Sequence, residues 1–127
     1  LKSFLMFNPI KTINKMKIYH NPRCRKSREG IQYLAEKGVL FEIVEYLKEE
    51  ISETKMKLLL NKLNITGIEL IRKNEKIWKE KFKNKELTES QIINLLCTEP
   101  KLMERPIIES KNKAVIGRPK ENIDKLL

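Results

Sequence analysis

At 127 residues, 40% hydrophobic and 35% charged, the chain fits one soluble globular domain able to bury a core, and its composition is neither that of a disordered nor of a membrane-spanning protein. Its 27 basic and 17 acidic residues leave a charge of +10, which points to an anionic partner: nucleic acid, a membrane surface or a small oxyanion. Cys24 and Cys97 are too few and too far apart for a disulfide framework, which favours a reducing, cytoplasmic setting.

The opening stretch "LKSFLMFNPIKTINK" carries lysines, no acid and only a short apolar patch from Phe4 to Phe7. It lacks the long apolar run and small-residue cleavage site of a secretory signal, so residues 1–15 read as an N-terminal extension and 16–127 as a single domain. "MKIYH" (16–20) is a short apolar strand that stops at the turn dipeptide Asn21-Pro22. Helical spacing follows, with Ile31, Leu34 and Ala35 on one face and Gly38 as the stop. "LFEIVEYL" (40–47) alternates and is β-branched enough for a second strand, giving a parallel pair with a crossover helix.

The middle, about 52–99, reads as a helical insert. Ser52 caps a helix whose apolar face is Met56, Leu59, Leu60 and Leu63, with Ile51 and Met56 at staple positions. Thr66 to Glu69 is a capping box opening a short helix that carries Ile71 and ends near Arg72. A further helical stretch from Asn74 holds Ile77, Trp78 and Phe82. Thr88 to Gln91 is a second capping box, followed by Ile92, Ile93, Leu95 and Leu96 until Pro100. "PIIES" and "KAVIG" then flank Lys111-Asn112 as a hairpin. Pro119 suits the first position of a last helix with Ile123, Leu126 and Leu127 on its apolar side. The order is β-α-β, helical insert, β-β-α.

Cys24 falls where the first strand hands over to the first helix, among Arg23, Arg25, Lys26 and Arg28. Cations in a first helical turn oppose the helix dipole at about 0.3–1 kcal/mol each, a local conflict of the kind found at functional sites. Making thiolate dominant at neutral pH requires lowering a thiol pKa by about two units, roughly 2.7 kcal/mol. The helix terminus supplies at best ~2 kcal/mol, and neighbouring cations are the natural source of the remainder. The free amides of that first turn also suit an oxyanion. His20, the only histidine, precedes Cys24 by four residues and either assists the thiolate or merely ends the strand. Cys97, beside Leu95-Leu96 near a helix end, reads as a structural thiol. One histidine and two distant cysteines form no metal-ligand cluster.

"IYHNPRCRKSR", "LIRKNE", "EPKLMERPI" and "AVIGRPKE", in this order and spacing, resemble the glutaredoxin-coupled arsenate reductase (ArsC) family of the thioredoxin-like superfamily, over Met16 to the C-terminus. The resemblance implies an α/β fold with a thioredoxin-like four-stranded mixed sheet. It implies Cys24 as nucleophile and His20 as its catalytic helper. It places oxyanion binding on Arg72, Arg105 and Arg118, which Ser27 of the Cys24 loop is expected to join, and puts Pro106 where the fold carries a cis-proline. Guanidinium groups present planar paired donors that suit a tetrahedral oxyanion.

The implied activity is reduction of arsenate to arsenite, with glutathione and glutaredoxin as reductant and no bound cofactor. The expected partners are the oxyanion and glutaredoxin, without nucleic acid or membrane, for a cytoplasmic monomer. Arg25 and Lys26 depart from the small residues that follow the cysteine in the family's arsenate reductases. The alternative is an Spx-like regulator or adaptor that binds RNA polymerase without catalysis. Ser27 removes the C-x-x-C pair of such regulators.

Overall fold

The structure, a computed structural model, describes residues 15–127. The expected extension therefore lies, apart from Lys15, outside the described residues. Lys15 itself pairs with Glu42 at 3.4 Å.

The chain forms two compact units: one runs to Glu45 and resumes over Arg105–Leu127, and the other is Tyr46–Glu104. In the first unit, β1 (Met16–Tyr19), α1 (Arg25–Glu36), β2 (Phe41–Val44), β3 (Ile107–Glu109) and β4 (Ala114–Ile116) precede a final 3-10 helix, Lys120–Leu126. The sheet order is β2-β1-β3-β4. β1 runs parallel to β2, pairing Met16 with Phe41 and Tyr19 with Val44. It runs antiparallel to β3, which is antiparallel to β4. This is the thioredoxin-like mixed sheet that the resemblance implies.

On one face of the sheet Met16, Ile18, Leu34, Ile108 and Ile123 form a buried core cluster, lined by the half-buried Ile31 and Tyr33 of α1 and Leu126 of the last helix. Alternate residues of a strand face opposite sides, which sends Ile18 and Ile108 into this cluster while Tyr19 and Glu109 share the other face. There the Tyr19 hydroxyl donates to Glu109 Oε1 at 2.7 Å, so the buried carboxylate is partnered. Gly38, at φ +70, takes the left-handed conformation that ends α1 after Lys37.

The second unit holds α2 (Glu53–Leu63), a 3-10 turn at Gly67–Leu70, a π-helical turn at Trp78–Phe82, α3 (Glu89–Thr98) and a 3-10 turn at Pro100–Leu102. The residues of the expected insert fall within it. Its caps form as read. Ser52 accepts from the Lys55 amide at 3.1 Å, and capping boxes close at Thr66–Glu69 and Thr88–Gln91. Met56, Leu59, Leu60, Ile92, Ile93, Leu95 and Leu96 are buried.

Several element ends differ from expectation. β2 stops at Val44 rather than Leu47 because it is an edge strand whose sole partner, β1, is four residues long. Its Ile43 stays 45% exposed. Ala35 is exposed, so the buried stripe of α1 is centred on Gly30 and Leu34. The short helix ends at Leu70, and Ile71 instead forms a bridge with Met103. Pro119 precedes the last helix as its N-cap, and Leu127 is exposed.

Candidate active site

The loop after β1 is built on Asn21. Its side-chain Oδ1 accepts from the Arg23 amide at 3.0 Å, and its carbonyl accepts from the Cys24 amide at 2.9 Å. This side-chain-closed turn is what Asn before Pro favours. Cys24 is the N-cap of α1, with extended backbone (φ −92, ψ 120), and its carbonyl accepts from the Arg28 amide at 3.0 Å to start the helix. No side chain caps the helix here, so the first-turn amides face the space where the Cys24 sulfur sits.

Topology brings the remaining groups to the same place. β1 ends beside the start of β3, where Tyr19 pairs with Ile107, and Ile107 pairs with Ile116 at the end of β4. The residues just before β3 and just after β4 therefore meet the loop that follows β1. Arg105 and Arg118 hold those two positions. Arg118 Nη2 stands 3.6 Å from Cys24 Sγ, and the Arg105 guanidinium also donates to the thiol. Both arginines precede a proline through a cis peptide, Arg105–Pro106 and Arg118–Pro119. Pro106 is buried, and its carbonyl accepts from the Gly117 amide at 2.8 Å, tying the two arginine-bearing segments together.

Partial burial alone raises the Cys24 pKa. The Ser27 amide, the Arg105 guanidinium and the Lys26 amide outweigh it and hold the thiol below its ordinary value. The cations next to Cys24 in sequence are not the source, contrary to expectation. Lys26 points out to Glu29 at 3.7 Å, Arg28 Nη1 donates to the Pro22 carbonyl at 2.8 Å, and Arg23 and Arg25 are exposed. A side chain in the first turn of a helix projects outward, whereas its amide points along the axis toward the cap, so Lys26 contributes through its N–H.

Ser27 is fully buried, and its two ends do different things. Its amide serves Cys24, while its hydroxyl accepts from the Asn21 amide at 3.0 Å and lies 2.6 Å from His20 Nδ1. His20 is 7% exposed; burial, with Arg28 adding to it, pulls its pKa below the ordinary value, against the opposing influence of Glu45. Burial thus favours the neutral imidazole, which is tied to the loop through Ser27. Asn21 closes this loop from both sides, a role that its sequence signature, half of an Asn-Pro turn dipeptide, does not reveal.

Within the first unit, the structure thus gathers Cys24, Ser27, His20, Arg105, Pro106 and Arg118. Arg72 belongs to the second unit. Its amide donates to the Leu102 carbonyl at 2.6 Å, and its Nε lies 3.9 Å from Glu75 Oε2. Cys97 also belongs there, and burial followed by Glu53 and Glu50 pushes its pKa up, the reverse of Cys24. Among the described residues no group of three or more His, Cys, Asp or Glu side chains is placed to hold a metal ion. Nor is any helix among them long and apolar enough to cross a membrane.

A sequence profile described as the ArsC family matches residues 19–126. The chain is 42% identical over 111 residues to the uncharacterized protein YfgD of Escherichia coli, covering 86% of this chain and 93% of that one. It is 36% identical over 115 residues to an arsenate reductase of Neisseria meningitidis, covering 89% and 98%. Among solved structures, the arsenate reductase from Vibrio cholerae superposes with a TM-score of 0.84 at 31% identity, covering 90% of this chain and 98% of that one.

Proposed function

The chain belongs to the ArsC family, and on that premise we propose that it is an arsenate reductase in which Cys24 is the nucleophile and glutathione with glutaredoxin supplies the electrons. One observation carries this reading. Two arginines from opposite ends of a hairpin converge on a single sulfur that already sits on free helix amides. Such an array stabilises a thiolate and also the tetrahedral oxyanion it attacks.

In the proposed reaction the Cys24 thiolate displaces hydroxide or water from arsenic(V), forming a sulfur–arsenic bond. Arg105 and Arg118 hold the arsenate oxygens as charge builds on them. Arg72, from the second unit, is assigned the third oxyanion contact by the family resemblance. A glutathione thiol then attacks the Cys24 sulfur. The sulfur–arsenic electron pair stays on arsenic, which leaves as arsenic(III), and Cys24 remains as a mixed disulfide with glutathione. Glutaredoxin reduces that disulfide by thiol–disulfide exchange. In this proposal Ser27 acts through its amide, and His20 positions the loop as a neutral ring rather than assisting as a cation. The protein acts as a cytoplasmic monomer and needs no metal or prosthetic group.

The regulator reading is not favoured, because Ser27 occupies the place of the second cysteine and its hydroxyl is committed to His20 and Asn21. The test is arsenate-dependent NADPH oxidation with glutathione, glutathione reductase and glutaredoxin present. Wild type is expected to turn over and Cys24→Ser to show none. Equal rates in the two proteins would overturn the mechanism.

A further inference from the structure

The second unit carries a groove of about 610 Å³ that the thiol chemistry does not use. Its floor is apolar, made by Ile68, Trp78, Leu87 and Ile92, and its lining is completed by four lysines: Lys73, Lys79, Lys83 and Lys85. None of the four makes an ion pair among the described residues, whereas the nearby Lys76 is matched by Glu80 at 3.8 Å and Glu75 by Arg72. Lysines elsewhere on a protein surface are commonly interspersed with acids. Here four like charges share one concavity, and a low-dielectric floor focuses their field outward. The volume is that of a ligand-sized pocket.

We propose that this groove docks an acidic peptide segment of a partner protein, one carrying an aliphatic or aromatic anchor between its carboxylates. The floor accounts for the anchor and the lysines for the acids. Lysine is a point charge on a flexible stem, which suits carboxylates spread along a peptide better than the fixed fork needed for a single phosphate. Nucleic acid fits less well, because sequence-tolerant binding of single strands relies on open aromatic faces. Trp78 is only 6% exposed, it stacks with Phe82 at 6.3 Å between centroids, and Lys85 lies over the Phe82 ring at 5.4 Å.

Trp78 is the only tryptophan in the chain, so its fluorescence reports on this groove in the full-length protein. The probe is a short tryptophan-free synthetic peptide of glutamates flanking a Leu-Phe pair. A saturable change is expected, weakening about fivefold or more when salt rises from 0.05 to about 0.2 M, as exposed charges are screened. In Lys79→Glu/Lys83→Glu, and more mildly in Lys79→Gln/Lys83→Gln, affinity should fall at least about tenfold with circular dichroism unchanged. Three results overturn the proposal: no saturable change, equal binding by an all-glutamate peptide without the anchor, or tighter binding by an oligothymidylate. The last would assign the groove to nucleic acid.

Discussion

Cys24 is held below its ordinary titration range by two first-turn amides, those of Ser27 and Lys26, and by one guanidinium distant in sequence, that of Arg105, and this decides which substitutions matter. The adjacent Arg25 and Lys26 look like the cause on paper, yet their side chains face solvent and only the Lys26 amide contributes. The pH dependence of Cys24 alkylation by iodoacetamide, measured with Cys97→Ser in the background, should therefore have its midpoint below the usual ~8.5 of a free thiol. Arg105→Ala should move that midpoint upward, while Lys26→Ala leaves it in place. His20 gives a second test at this scale. Burial lowers its folded pKa, so between the ordinary value near 6.5 and the lower folded value the unfolded chain takes up a proton that the folded chain refuses. Stability is then full above about pH 7 and declines as pH falls through that window. His20 is the only histidine, so urea unfolding at pH 7.5 and about 5.5 should show a decline that His20→Asn flattens.

Elements with local start and stop signals were legible, and those whose ends depend on partners were not. Capping at Ser52, Thr66 and Thr88 needs only residues three apart, and all three formed as read. The end of β2 depended on how far β1 extends, and the register of the last helix on which apolar side chains reach the core. α1 is the exception among the α-helices: it has no side-chain cap and no acid in its first turn, so the position that would stabilise the helix is left to a thiol and its ligand. Its Gly30 has a reason invisible in sequence. A Cβ there would meet Pro106 Cγ at 3.0 Å and Ile18 Cδ1 at 3.2 Å. Gly117 is tighter still, since its Cβ would lie 2.6 Å from Ile108 Cδ1 and 3.2 Å from Pro106 Cγ. Both glycines make room for the proline that follows Arg105. Gly117→Ala is accordingly expected to cost about 1–3 kcal/mol in urea unfolding through overpacking. It should also raise the Cys24 alkylation midpoint, because shifting Pro106 shifts Arg105.

At the scale of the whole molecule, neither composition nor local spacing reveals that Arg105 and Arg118 meet at Cys24. In the sequence that convergence is implied only by the resemblance of four motifs to the ArsC family; its physical reason is the antiparallel register, which sets both hairpin ends beside the end of β1. The same register separates the site from the hairpin turn. Lys111 and Lys113 are exposed there, and Lys113 precedes Arg118 by five residues of largely extended chain, roughly 15 Å at strand rise. The charges of Lys111 and Lys113 thus lie beyond contact range of an oxyanion at Cys24 and act only through their field. That field reaches about 30 Å at 0.01 M salt but only about 8 Å at 0.15 M. Charge at the turn and charge in the site should therefore separate by salt. At low salt Lys111→Gln/Lys113→Gln is expected to lower kcat/KM for arsenate with kcat unchanged, and at about 0.15 M the difference should vanish. Arg118→Ala should depress kcat/KM at both salts, because its contact with the sulfur is direct. A lysine effect that persisted at high salt would place the turn within reach of the substrate and refute this division between steering and binding.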